Sequence, residues 1–441
     1  MAASLHLDHI LDTDIKPSSR QMILVLCFLI MLFDGYDLNF LGYIGPALVS
    51  HLGATKPQFG TAISAGLAGF MAGAFIFGGL GDRVGRRPMT ILGVALFGLL
   101  TAGCAFVSSI DQLAALRFVA GIGLGGAIPN AIALNAEFAQ RKTRAGVIGV
   151  MFVGYTLGGA LPGWVAGGLV GSFGWRVVPL IGGVGAVVLA CVLFLKMSES
   201  LRFLAARPDR RDELLAGLHA LAVQRFDRDV QIVTSEKPAK GLPVYLLFTG
   251  GRAITTILLW IAFVAGLTAN LFVISWTPTM LASAGIAASH AALIGAMYQT
   301  GAAVGSVIVT RLIDKKGAVA VLCWMAAAIP CVAAIGQAGF AELALIVAVF
   351  IAGFFASAGQ VGLNAVAGVF YPTFIRSTGV GWANGIGRFG SIAGPMIGGI
   401  LISSGYSVSV LFGFAAIPLM LVVTALGVLL LTTRRSAPQP G

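Results

Sequence analysis

The sequence predicts an all-α membrane protein with twelve transmembrane helices in two pseudo-symmetric six-helix bundles, and three observations support this prediction. Hydrophobic residues occupy 58% of the 441 positions and charged residues only 10%. A soluble domain cannot bury that much apolar surface. Twelve apolar runs have about 20 residues each, the length with which a helix crosses a bilayer. One long polar stretch divides these runs into six and six.

The predicted helices follow one another through short loops, apart from this polar stretch. They cover about residues 21–43, 59–81, 89–108, 113–135, 146–171, 174–197, 251–275, 289–313, 318–337, 342–364, 378–401 and 409–432. The chain then has five parts: a cytoplasmic N-terminal tail (1–20), an N-terminal bundle (21–197), a cytoplasmic linker (198–250), a C-terminal bundle (251–432) and a cytoplasmic C-terminal tail (433–441). Within the linker, Asp209 to Val223 has the pattern of a short amphipathic helix.

Several function classes find no support in the sequence. The five cysteines lie in apolar runs at spacings that fit neither a metal site nor a disulfide framework, and the five histidines fall in predicted tails or loops. No G-x-S-x-G motif and no nucleotide-binding loop occurs. We therefore expect no metal and no cofactor, and neither a membrane enzyme nor an ATP-driven pump. The polar first twenty residues lack the apolar region of a secretory signal, so we expect no cleavage.

The net charge of +11 encodes membrane orientation rather than a nucleic-acid partner. With the N-terminus placed in the cytoplasm, most Lys and Arg residues fall in the inner loops, the tails and the linker. The predicted outer loops contain only two basic residues, Lys56 and Arg176, while Arg117 and Arg388 lie inside predicted helices. Because positive charge marks the cytoplasmic side, we expect a multi-pass protein of the cytoplasmic (inner) membrane with both termini inside.

Two loop motifs indicate an internal duplication. Asp314 lies 232 positions after Asp82, and Arg376 lies 232 positions after Arg144. The shared offset relates the loop after the second predicted helix to the loop after the eighth, and the start of the fifth helix to the start of the eleventh. Paired six-helix halves support alternating access, with a substrate site between the halves near the membrane midplane.

Two carboxylates, Asp34 and Asp37, lie inside the first predicted helix. A charged side chain at that depth costs at least ~2.5–3.5 kcal/mol, so an intramembrane acid indicates a functional site. Their spacing of three places both on one helix face, where an acid beside a water-filled cavity can carry or control a transported proton. The structural alternative is that both are paired permanently with basic residues, or that they cap a helix break at Gly35.

Two guanidinium groups lie at depths that overlap those of the acids. Because a guanidinium can grip a carboxylate with two parallel hydrogen bonds, Arg117 or Arg388 is a natural partner for a carboxylate substrate. The alternatives are an ion pair of Arg117 with Asp34 or Asp37, and a structural bond of Arg388 to helix carbonyls. The C-terminal bundle adds five uncharged candidates for substrate binding: Asn270, Tyr298, Gln299, Trp382 and Asn384.

The loop between the second and third predicted helices resembles that of a known superfamily. Residues 78–88, Gly-Gly-Leu-Gly-Asp-Arg-Val-Gly-Arg-Arg-Pro, closely resemble the motif that the major facilitator superfamily carries at this place. Residues 34–37, 117–130 and 387–395 resemble stretches of the aromatic acid:proton symporter family within that superfamily. Residues 198–204 resemble that family's Pro-Glu-Ser segment, with serine at position 198 where proline is usual.

This resemblance implies a monomeric secondary transporter that takes up an aromatic carboxylate together with protons by alternating access. Two alternatives stay open. One is a proton-coupled symporter of another small metabolite, such as a sugar or an aliphatic organic acid. The other is an efflux antiporter, because residues 158–163 faintly resemble the glycine-proline motif of drug:proton antiporters.

A further set of charges lies at the predicted inner ends of the helices. Opposite charges there can latch the two halves in the outward-open state and separate when the inner gate opens. The resemblance points to Asp82 as a gate residue, and Asp314 occupies the weaker copy of the same motif. The predicted cytoplasmic gate comprises Asp82, Arg83, Glu137, Arg144, Glu199, Arg202, Asp314 and Arg376.

Overall fold

The structure, a computed structural model, describes residues 4–140, 143–223, 231–233, 244–250, 252–337, 341–371 and 375–435. Within these ranges, twelve helices are long and apolar enough to cross a membrane. This confirms the predicted fold class.

Six of these helices form the N-terminal half: α1 Pro17–Leu52, α2 Lys56–Val84, α3 Arg86–Gly103, α4 Ile110–Phe138, α5 Arg144–Phe173 and α6 Val177–Lys196. The other six form the C-terminal half: α7 Ala253–Ser283, α8 Ala288–Lys316, α9 Ala318–Ile335, α10 Glu342–Phe370, α11 Arg376–Ser403 and α12 Val408–Arg435. Because an even number of helices crosses the bundle, α1 begins and α12 finishes at the same end. We call this the terminal end and the opposite one the far end.

Helix α1 extends well beyond its predicted limits and contains 36 residues. It begins at Pro17, which the first turn tolerates because an N–H there has no helical partner. It ends at Leu52 and is followed by Gly53, whose φ of 60° is the left-handed conformation that favours glycine. The predicted helix was too short because the prediction followed the apolar run, whereas capping residues determine where the helix begins and ends. For the same reason His51 and His290, which were predicted in loops, lie in the end turns of α1 and α8.

The two halves pack in the same way. In the N-terminal half α1 packs on α5, α2 on α4 and α3 on α6, and the helices six places later form the corresponding pairs. A Cβ added at Gly158 would lie 1.9 Å from the carbonyl oxygen of Leu32, and one at Gly390 would lie 2.0 Å from that of Val264. Only glycine permits this approach. Both residues of the second pair follow those of the first by 232 positions, so the duplication extends into helix packing.

The halves meet near the far end and separate toward the terminal end. A Cβ added at Gly60 of α2 would lie 2.5 Å from the carbonyl oxygen of Pro395 on α11. One added at Gly163 of α5 would lie 2.6 Å from the Ala296 side chain on α8. At Gly381, nearer the terminal end of α11, a Cβ would meet no atom of the described chain within 4 Å. The crevice between the halves therefore opens at the terminal end.

The segment before α1 packs against the linker. Residues Ser4–His6 form a two-stranded parallel sheet with Gln231–Val233. The linker also contains the helix Arg211–Leu221, within the range predicted as an amphipathic helix. Leu7 and Ile10 are buried in the same hydrophobic cluster as the apolar side chains of that helix. The N-terminal segment and the linker thus form a small layer beneath the N-terminal half.

Candidate substrate and proton site

Asp37 and Arg117 form a buried ion pair within the N-terminal half. The Arg117 Nη1 donates to both carboxylate oxygens of Asp37 at 2.9 Å, and Nη2 donates to the Asp37 carbonyl oxygen at 3.1 Å. The Thr101 hydroxyl of α3 donates a further hydrogen bond to the carboxylate. Both charged side chains are at most 3% exposed. Arg117 and Asp37 therefore form the ion pair that the structural alternative described, and a role of Arg117 in substrate binding stays a prediction.

Asp34 lies one turn away on α1 in a different environment. It is only 2% exposed, and its Oδ1 accepts no hydrogen bond from the described residues. The adjacent Gly35 lets α1 approach α5, because a Cβ there would lie 2.0 Å from the carbonyl oxygen of Tyr155. Asp34 interacts electrostatically with Arg388 of α11 and with Tyr155. This carboxylate therefore lies where the two halves meet.

Arg388 is the guanidinium on the other side of the crevice. Its Cζ lies 4.2 Å from the centre of the Phe70 ring of α2, a cation–π contact between the halves. Its side chain is half-buried, and no carboxylate of the described chain forms an ion pair with it. Arg388 is therefore a charge at membrane depth with an aromatic neighbour and without an ion pair to any carboxylate of the described residues.

The other polar candidates of the C-terminal half lie in two groups. The Tyr298 hydroxyl donates to Asn270 Oδ1 at 2.8 Å, and both side chains are buried. Gln299 is also buried, and its amide lies against Gly159 of α5. Asn384 lies four residues before Arg388 on α11 and contacts α10. Gln299 thus lies at the junction with α5, Asn384 is bonded to α10, and Asn270 and Tyr298 are bonded to each other.

Trp382 lies apart from these residues, and its predicted role in substrate binding has no contact in the described structure that supports it. Its indole stacks on Trp260 of α7, with ring centroids 6.2 Å apart, and it is 38% exposed. Two residues correspond to a rotation of about 200° around the helix axis, so Trp382 and Asn384 lie on opposite faces of α11. The sequence predicted its depth but not its face.

Comparison with known proteins decides the family. The family model of the Major Facilitator Superfamily matches residues 27–263 and 258–441. The chain belongs to this superfamily. Its members are transporters, which confirms the prediction that the protein is not an enzyme.

Relatives within the superfamily transport aromatic acids. A gallate transporter of Pseudomonas putida is 37% identical and aligns over 90% of this chain and 89% of its own length. A 4-hydroxybenzoate transporter of Acinetobacter baylyi is 32% identical and aligns over 91% of this chain and 90% of its own length. A 3-(3-hydroxy-phenyl)propionate transporter of Escherichia coli is 32% identical and aligns over 97% of this chain and 98% of its own length. These relatives confirm the resemblance to the aromatic acid family.

Solved structures of the superfamily share the fold. An inward-facing, unoccupied bacterial homologue of the human lysosomal transporter Spinster superposes with a TM-score of 0.70, at 19% identity, over 95% of this chain and 98% of that one. The Escherichia coli xylose transporter, in a partially occluded inward-open conformation, gives a TM-score of 0.68 at 16% identity, over 92% and 97%.

The described gate residues of this facilitator form contacts inside the N-terminal half. Buried Glu137 accepts hydrogen bonds from the Ser200 hydroxyl at 2.5 Å and from the Arg202 N–H at 3.0 Å. Glu199 accepts from the backbone N–H groups of Arg86 and Arg87 at 3.0 and 3.1 Å. These contacts fasten the start of the linker to the end of α4 and to the first turn of α3.

Two further gate residues lie at the edge of this cluster. Arg202 Nη2 donates to Asp8 Oδ1 at 2.9 Å. Arg83 is exposed, and its carbonyl oxygen accepts a hydrogen bond from Arg207. The side chains of Asp82, Arg144, Asp314 and Arg376 lie outside what the structure describes, and a gating role for all eight residues stays a prediction.

Three residues of the site were missed by the sequence reasoning. Asn364 of α10, which contacts Asn384, carried a usable signal because it is a polar residue inside an apolar run. Thr101 carried none, since a threonine hydroxyl in a helix usually bonds its own backbone. Phe70 is one of 28 phenylalanines, and its contact with Arg388 depends on how the two halves meet.

Proposed function

We propose that this chain is a symporter that takes up an aromatic carboxylate together with protons by alternating access. The observation that carries the proposal is Arg388, a half-buried guanidinium in the crevice between the halves that forms no ion pair with a described carboxylate. A charge at membrane depth is costly without a partner, and a substrate carboxylate can supply one with two parallel hydrogen bonds.

The surroundings of Arg388 favour an aromatic acid. The buried Phe70 ring packs against the guanidinium and makes this part of the junction between the halves apolar, which suits an aromatic ring better than a sugar. The relatives named above are transporters of gallate, of 4-hydroxybenzoate and of a hydroxyphenylpropionate, all of them aromatic carboxylates. A sugar would leave the Arg388 charge uncompensated.

The position of Asp34 supports proton coupling. A substrate carboxylate at Arg388 would bring a second negative charge toward the buried carboxylate of Asp34, which already interacts with Arg388. Two carboxylates that share one guanidinium repel each other, and uptake of a proton by Asp34 removes the repulsion. Substrate binding and proton binding are then favourable together. Asp37, held by Arg117 and Thr101, keeps a structural role in this scheme.

We place the terminal end in the cytoplasm of the cell, with the protein in the inner membrane. The support is the excess of Lys and Arg in the loops and tails of that end. The crevice of the present conformation then opens to the cytoplasm, where substrate and proton leave. The charged residues at the terminal end act as the gate that closes this side in the alternate conformation.

Uptake by purified protein in liposomes tests the proposal. Labelled 4-hydroxybenzoate should accumulate against its gradient when the outside is acidified, and should only equilibrate without a proton gradient. An excess of unlabelled aromatic acid should compete, whereas xylose should not. Extrusion of the acid in exchange for protons would establish the antiport alternative, and competition by the sugar alone would establish another substrate class.

A further inference from the structure

A neutral polar pair lies one helical turn from Arg388. Asn384 precedes Arg388 by four residues, so the two side chains share a face of α11 and are separated by about 6 Å along the helix axis. A benzene ring with a carboxylate at one end and a substituent at the opposite end has a similar length. A ring held at Arg388 by its carboxylate can therefore present its far substituent to Asn384.

The hydrogen bonds of Asn384 determine which of its amide atoms is free. Its Nδ2 donates to Asn364 Oδ1 at 2.7 Å and to the Val380 carbonyl oxygen at 3.0 Å. The Asn364 Nδ2 in turn donates to the Gln360 carbonyl oxygen at 3.2 Å. Turning either amide would place two oxygens against each other, so the orientations are fixed. The other amide atom of Asn384, Oδ1, accepts no hydrogen bond from any residue within the described ranges.

The space beside Asn384 is open. Gly381 and Gly385 flank it on α11, and a Cβ added at either would meet no atom of the described structure within 4 Å. Asn384 itself is only partly buried. A free acceptor next to open space can receive a hydrogen bond from a ligand, and it can do so only from a group that donates.

We propose that Asn384 Oδ1 recognises a hydroxyl group on the substrate ring, opposite the carboxylate, and that Asn364 holds the amide in the receiving orientation. This inference rests on the proposed function, because the carboxylate at Arg388 sets the position of the ring. The preferred substrate class is then a hydroxylated aromatic acid. An unsubstituted acid, or one with a methoxy group that only accepts, lacks the required donor.

Calorimetric titration of the purified wild type with a donor series tests this directly. We expect 4-hydroxybenzoate and 4-aminobenzoate, which both donate, to bind about tenfold more tightly than benzoate and 4-methoxybenzoate. Equal affinities for the hydroxy and methoxy acids would overturn the inference. If no aromatic acid binds at all, the proposed function itself fails, which is a different result.

Variants then assign the selectivity to Asn384. In Asn384→Leu the advantage of 4-hydroxybenzoate over benzoate should fall to about one, while the Kd of benzoate changes by less than about threefold. Asn384→Ser is a second variant should the leucine variant not fold, and Asn364→Ser should reduce the advantage in part. Trp382→Leu on the opposite face of α11 is the matched control and should keep it. An undiminished advantage in any folded Asn384 variant would contradict the assignment.

Discussion

Asp34 of α1 and Arg388 of α11 interact electrostatically across the junction of the two halves, yet they form no ion pair with each other. The neighbouring pair, Asp37 and Arg117, is closed by hydrogen bonds of 2.9 Å within one half. These two aspartates and two arginines therefore divide into a pair joined by hydrogen bonds and a pair that is not joined. Of the two pairs, only Asp34 and Arg388 lie on different halves.

Arg388 should determine affinity for the carboxylate. In Arg388→Gln we expect the Kd of 4-hydroxybenzoate to rise by roughly 10- to 100-fold, because a charge-assisted hydrogen bond contributes about 1.5–3 kcal/mol. Arg388→Lys keeps the charge but cannot form the two parallel hydrogen bonds, so its Kd for 4-hydroxybenzoate should lie between those of Arg388→Gln and the wild type. The matching amide, 4-hydroxybenzamide, should bind weakly and equally to all three. An unchanged Kd for the acid in Arg388→Gln would refute the assignment.

The Asp37–Arg117 pair should behave as a structural unit. Asp37→Leu and Arg117→Met alone should each lower the stability of the folded protein by about 3–5 kcal/mol, because each leaves one buried charge without its partner. The double variant removes both charges and should recover most of the loss. Thermal unfolding in detergent measures this. Full stability in either single variant would show that the pair is not needed, and failure of the double variant would point to a role beyond mutual neutralisation.

The close packing of paired helices within each half should depend on glycine at the contact. Gly390→Ala places a Cβ 2.0 Å from the Val264 carbonyl oxygen, so we expect a loss of about 1–3 kcal/mol and a lower unfolding temperature. The control is Gly413→Ala in α12, where a Cβ would meet no described atom within 4 Å. Equal unfolding temperatures for both variants would mean that α7 and α11 are not as closely packed as described.

The sequence predicted the architecture because the signals are local or repeated. Apolar runs mark the helices, and the 232-residue offset that relates two loop motifs also relates Leu32 and Gly158 to Val264 and Gly390. The depth of Asp34 and of Arg388 in their helices followed from counting residues.

The sequence could not predict which face of a helix meets which neighbour. Asp34 and Asp37 share a face, and the choice of Asp37 as the partner of Arg117 depends on the packing of α3 and α4. Trp382 has a suitable depth but lies on the face toward Trp260. The packing of the N-terminal segment on the linker was missed although Leu7, Ile10 and Leu11 recur at helical spacing, because the charged residues between them made the segment resemble a solvated tail.

Proton uptake on substrate binding tests the pairing of Asp34 with Arg388 most directly. It is measured by titrating the purified protein with 4-hydroxybenzoate in two buffers of different ionisation enthalpy. We predict a net uptake of protons by the wild type and its loss in Asp34→Asn, which should still bind the acid through Arg388. Asp12→Asn, in the segment before α1, is the control and should take up protons as the wild type does. Binding without proton uptake in the wild type, or undiminished uptake in Asp34→Asn, would contradict this account.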